Sequence, residues 1–179
     1  MTSPAELEDA WLSVGAAEKA SSVERLTRGV QIASLLEVGC GTGAILAELA
    51  RRHVGSEHAG CEPSQVLFER ARSRTYGVDV DLRCATFEDS GFADRQWDVV
   101  VLSHVLEHTT DPAALVARVL GADRYVVIEV PLDGAWIGWI RSKVRQALTG
   151  RARADNAQGT SSSFRPRTSA EWSLGVAVV

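Results

Sequence analysis

No apolar run in these 179 residues is long enough to span a membrane, and the first residues, MTSPAELEDAW, are acidic, unlike a secretory signal. Cysteine is scarce. Cys40, Cys61 and Cys84 are odd in number and form no C-x-x-C pair, which excludes a disulfide framework and points to a reducing cytoplasm. Positive charge is in deficit, with 19 Lys and Arg against 23 Asp and Glu, a net charge of −4. Phosphate backbones require a basic face, so the balance argues against a nucleic-acid partner. Basic residues do gather locally: Arg141, Lys143, Arg145, Arg151, Arg153, Arg165 and Arg167 face one acid, Asp155. No internal repeat is present.

What remains is an ordinary globular composition, 45% apolar and 23% charged, in a chain long enough for one domain with a real core. Residues 1–30 read as helical, with Leu7, Trp11, Val14, Val23 and Leu26 at mixed three-to-four spacing. From 31 to 131 short apolar strands alternate with helices: ASLLEVG, HAGCE, VDVDLRC, WDVVVLS and DRYVVIEVP are the strands. The helices are GAILAELARRH, PSQVLFERARSR (with Pro63 near its start) and DPAALVARVLG. The last is framed by Asp111 as N-cap, Pro112 at the first helical position and Gly121 just past the end. The alternation predicts an α/β fold, a doubly wound, mainly parallel sheet with helices on both faces. Residues 132–179 read as an amphipathic helix carrying Trp136 and Trp139, a basic polar loop, and a last strand, GVAVV. Trp97 is expected in the core, and the three cysteines, all at strand ends, are expected to pack as small hydrophobes.

Chemistry concentrates in LLEVGCGTGAILAELA, residues 35–50. A strand ends at Glu37, and Gly39-Cys40-Gly41-Thr42-Gly43 leads directly into a helix whose free N–H groups favour an anion. Such a loop serves a tight turn in any α/β protein, or a dinucleotide site. The dinucleotide fingerprint G-x-G-x-x-G is one residue longer than the G-x-G-x-G present here. Glu37 discriminates further, since a carboxylate there suits an ammonium or sulfonium better than a pyrophosphate. Glu62 follows Gly43 by nineteen residues and ends the second strand, where an acid can accept hydrogen bonds from both hydroxyls of a ribose.

The stretch SHVLEHTTDP contains H-x-x-E-H at His104, Glu107 and His108, the inverted zinc-protease signature. Zinc proteases hold both histidines in a stable helix and add a third ligand. Here His104 directly follows a strand and Thr109-Thr110-Asp111-Pro112 stops any helix after barely one turn, so no metal is expected.

LLEVGCGTG, GCEPS, WDVVVLSHVLEHTTDP and YVVIEVP, in that order and spacing, resemble the class I S-adenosylmethionine-dependent methyltransferases. The similarity is strongest to the small-molecule branch around ubiquinone and menaquinone biosynthesis, over residues 30–131. The resemblance implies that Glu37 and the backbone of Gly39, Cys40, Gly41, Thr42 and Gly43 hold the methionine part of S-adenosylmethionine. It puts Glu62, with Pro63 and Ser64, on the ribose, and Cys84, Ala85, Thr86 and Phe87 around the adenine. Many members carry an Asp near Cys84 for the adenine amino group; this chain lacks it, leaving Glu88 or the backbone of Thr86 and Phe87. Ser103 and His104 would flank the methionine end and the acceptor, with His104 either a general base or packing under the cofactor, and His108 either pinning the turn or standing as the second catalytic candidate. Trp136 and Trp139 would lie beside the acceptor pocket. The family's sheet has seven strands, the last antiparallel; this chain reaches the sixth, which fits a shortened member, a truncated piece, or a sheet completed in an oligomer such as a homodimer.

The expected activity is methyl transfer to oxygen, nitrogen or carbon of a small-molecule acceptor, leaving S-adenosylhomocysteine. The alternatives are an NAD(P)-dependent oxidoreductase and a non-catalytic, cofactor-binding partner subunit.

Overall fold

A computed structural model of the chain describes residues 4–122, 125–130, 138, 142 and 175–178. The order is α1 (Pro4–Leu26), β1 (Ser34–Val38), α2 (Ala44–Arg51), β2 (Glu57–Cys61), α3 (Gln65–Arg72), β3 (Val80–Arg83), β4 (Val99–Ser103), α4 (Pro112–Ala122), β5 (Tyr125–Val130) and β6 (Gly175–Val178). Single 3-10 turns at Phe92–Asp94 and Leu106–His108 precede and follow β4. The strands align as β3-β2-β1-β4-β5-β6, every pair parallel. Strand order therefore reverses between β1 and β4, the position where open α/β sheets bind ligands beyond their carboxyl ends.

Why these residues form this sheet follows from their neighbours. β1 and β4 are central and wholly buried, so their sequences, SLLEV and VVVLS, run apolar without alternation. β3 lies at the edge, where VDLR alternates half-buried and exposed residues. Period-two geometry then sorts the core into two layers. Leu36, Val38, Val100, Leu102 and Ile128 pack with Phe92, Trp97 and α4, whereas Leu35, Val99, Val101 and Val127 pack with α1 and α2. Trp97 is fully buried, edge-on to Phe92 at 5.5 Å.

Two devices hold the frame. The Asp98 carboxylate, just before β4, accepts the backbone N–H groups of Ala33 (2.9 Å) and Ser34 (3.1 Å) at the start of β1. Arg52, at the end of α2, donates to Glu24 (2.6 Å), Ser21 (2.8 Å) and the carbonyl of Ala17 (2.9 Å), stapling α1 across α2.

Two sequence expectations change. Gly121 lies within α4, which runs on to Ala122; a glycine costs a helix only about 1 kcal/mol, too little to end it. Cys84 is exposed, its thiol against the Gln65 side chain at 3.1 Å, so only Cys40 and Cys61 pack as buried hydrophobes. Trp136, Trp139 and the basic loop lie outside the described residues.

Candidate functional site

Two adjoining cavities open at the carboxyl ends of β1, β2 and β4. The larger, about 810 Å³, is walled by the Gly39–Thr42 loop, Glu62 and Pro63, the Ser103–Val105 segment, and Ala16 and Lys19 of α1. The smaller, about 400 Å³, lies between Pro63, the Ala85–Glu88 segment and Thr109–Asp111. Gly39, Pro63, Val105, His108 and Thr109 border both.

The glycine loop is shaped by left-handed backbone at Gly39 (φ 66°), Gly41 (φ 54°) and Gly43 (φ 71°). A methyl on Gly39 would stand 2.7 Å from Val105, and one on Gly43 would collide with the Tyr76 hydroxyl. A methyl on Gly41 would meet nothing, since that face opens outward, where a ligand can approach the backbone.

Glu62 is buried and both its oxygens are in use. Oε2 accepts the Gly41 N–H at 3.0 Å and Oε1 the Ser64 N–H at 2.8 Å. Each oxygen keeps a second lone pair, which leaves two acceptors in the wall of the larger cavity.

Glu37 does not line the cavity; it lies behind the wall, 2% exposed. Period two puts it on the α1/α2 side of the sheet, in line with Leu35. Its Oε2 has no hydrogen-bond partner, and the N–H of Leu46 in the first turn of α2 serves the carboxyl. Burial pushes the acid up to about 8 from its ordinary 4.5, against the pull of that N–H and of Lys19. Glu129 of β5, paired in register with Ser103, is the neighbouring buried acid. Its Oε2 accepts the Ser103 hydroxyl at 2.5 Å and stands 4.0 Å from the Lys19 ammonium, while Oε1 has no partner.

His104 occupies left-handed backbone, φ 56°, uncommon for a residue with a side chain. Its N–H holds the carbonyl of Glu129 at 3.0 Å, and its Nδ1 lies 3.0 Å from the Glu107 carboxylate, one turn on. That pairing makes Nδ1 the protonated nitrogen and leaves Nε2 the basic one. His108 borders both cavities.

Of the residues expected from sequence, Gly39, Cys40, Gly41, Thr42, Glu62, Pro63, Ser103, His104 and His108 meet at the larger cavity, and Ala85, Thr86, Phe87 and Glu88 at the smaller. Gly43 caps α2 beneath the loop. Sequence reasoning missed Lys19, Asp111 as a wall of the smaller cavity, and Glu129. An acid inside the apolar strand YVVIEV was a usable signal for Glu129; Lys19 carried none, because its place depends on how α1 crosses the sheet.

Residues 36–122 match the methyltransferase domain family. This stretch, a little under half of the chain, is similar to methyltransferase domains. The chain is 34% identical over 80 residues to the ubiquinone biosynthesis O-methyltransferase of Cereibacter sphaeroides, covering 45% of this chain and 32% of that one. To the enzyme of the same name from Thiobacillus denitrificans it is 41% identical over 86 residues, 46% and 36% of the two chains. The match thus spans about a third of these relatives' length. Among solved structures, the N-terminal domain of EvdMO1 with S-adenosylhomocysteine bound superposes with a TM-score of 0.56 at 26% identity, covering 63% of this chain and 48% of that one. DesVI of Streptomyces venezuelae superposes with a TM-score of 0.55 at 28% identity, covering 72% and 57%. No helix among the described residues is long and apolar enough to cross a membrane.

Proposed function

We propose that the chain is an S-adenosylmethionine-dependent methyltransferase acting on a hydroxyl of a small molecule. The observation that carries this reading is the buried Glu62 carboxylate in the wall of the larger cavity, next to Pro63 which borders both, with a spare lone pair on each oxygen for a ribose diol. The other residues fit the same ligand. The smaller cavity takes the adenine between Pro63, Phe87 and Leu115, with Glu88 and Asp111 as carboxylates at its edge in place of the family's missing Asp. The open face of Gly41 and the Lys19 ammonium receive the methionine end, Lys19 facing its carboxylate. The cofactor supplies an activated methyl on a positively charged sulfur.

This chain's residues then have to align the acceptor, exclude water and remove a proton. The His104–Glu107 pair suits proton removal, because Glu107 holds Nδ1–H and Nε2 is free to take the hydroxyl proton. His108 supports the turn rather than the chemistry. The O-methyltransferase names of the relatives support an oxygen acceptor, and three unpaired cysteines support a reducing, cytoplasmic setting. A single domain and a small-molecule rather than nucleic-acid acceptor complete the reading.

Calorimetric titration tests it. S-adenosylmethionine and S-adenosylhomocysteine should bind, and Glu62→Ala should weaken both by roughly tenfold or more; binding of NAD(P) instead would assign the site to a dinucleotide. Screening hydroxyl metabolites with labelled cofactor then identifies the acceptor. With it, His104→Ala should lower turnover by about a hundredfold or more at saturating cofactor. Turnover that survives while cofactor binding and stability fall would make His104 a packing residue, and binding without any turnover would mark a non-catalytic partner subunit.

A further inference from the structure

We propose that Glu37 is a proton store for the reaction: it keeps a proton while the cavity holds a neutral thioether, gives it up when a sulfonium is seated, and recovers it when that charge disappears. The inference rests on the methyltransferase reading and adds a role for the polar cluster behind the cavity wall.

The cluster is short of positive charge. Two buried carboxyls, Glu37 and Glu129, stand at the ends of β1 and β5 on the same side of the sheet, and one ammonium, Lys19 of α1, serves both. Lys19 and the Ser103 hydroxyl are already directed to Glu129 Oε2. Glu37 is left with one backbone N–H and an unpartnered oxygen. The remaining titratable groups that act on it or feel it give no help. Glu62 and Glu129 oppose its ionisation, while Cys40 and Tyr76 are themselves pushed upward by burial and stay neutral. A buried second anion without a partner is costly, so Glu37 stays protonated until a cation arrives within Coulombic reach across the low-dielectric wall.

Methyl transfer changes that charge. The carbon–sulfur bond breaks with its electron pair remaining on sulfur, a hydroxyl lone pair forms the carbon–oxygen bond, and the hydroxyl proton is released. The site loses one positive charge and produces one proton. His104 takes the proton from the acceptor and passes it to solvent, and Glu37 draws an equal proton from solvent, so the cluster returns to its starting charge.

The test needs no acceptor. Binding of S-adenosylmethionine and of S-adenosylhomocysteine is measured by calorimetry at pH 7 in buffers of different ionisation enthalpy, which counts protons released. The wild-type protein should release roughly one proton more with the sulfonium ligand than with the thioether. E37Q should abolish the difference, and E129Q, which removes an opposing carboxylate, should shrink it. Equal counts in the wild type, or a difference that survives E37Q, overturns the proposal. Failure of both ligands to bind overturns the methyltransferase reading instead. Should E37Q not fold, the wild-type affinity ratio of the two ligands decides: it should rise with pH up to about 8 and then level, and a flat ratio overturns the proposal. The α-amino group common to both ligands cancels in that ratio.

Discussion

At the scale of single residues, the site is made of side chains whose environment, rather than identity, sets their behaviour. Glu37 and Glu62 are both buried acids, yet Glu62 holds two backbone N–H groups and Glu37 only one, with an oxygen unmatched. The consequence for Glu37 can be measured in the free protein. Its acid is raised from 4.5 to about 8 on folding. Between those values the unfolded chain has lost the proton and the folded chain keeps it, so stability should fall as pH rises through this window and level above it. Denaturant unfolding at a series of pH values should show that decline in the wild type and a smaller one in Glu37→Gln, whose amide cannot ionise. Identical slopes would mean that Glu37 is not the group responsible. Both glutamates could be picked out from sequence as acids beside the glycine loop, because their place at the ends of apolar strands is a local property. Which one is solvated by backbone dipoles was not legible, since that depends on Ser64 and Gly41 folding back onto Glu62 alone.

Among the elements, strands and helices were legible because their periods are local. The helix start at Asp111 is an example: its Oδ1 accepts the Ala114 N–H at 3.0 Å, as the D-P pair implies. Where α1 rests was not legible, for its apolar residues give no single clean stripe. Arg52 settles it through bonds to Glu24, Ser21 and Ala17. Lys19 reaches the cavity because α1 is held there. Arg52→Ala should therefore lower the stability of the fold and weaken cofactor binding several-fold, although Arg52 lines neither cavity. Thermal melts and titrations of the variant check this; loss of stability with unchanged affinity would detach α1 from the site.

Across the whole molecule, the parallel sheet must bring β1 and β4 together over roughly sixty residues of intervening chain, and the Asp98 clamp on Ala33 and Ser34 marks that join. Asp98→Ala should destabilise the domain by about 2–3 kcal/mol, read as a lower midpoint in urea with the slope unchanged; a shift no larger than that of an exposed Asp81→Ala would show the clamp to be dispensable. The α/β class, the succession of strands along the chain, the glycine loop and the histidine segment were all readable from residues alone, because they follow from short-range periodicity and backbone preference. That Glu37, Ser103, Glu129 and Lys19 share one polar cluster became visible only in three dimensions. Those four come from β1, β4, β5 and α1, and what joins them is strand register and helix placement, which are set by packing between segments far apart in the chain.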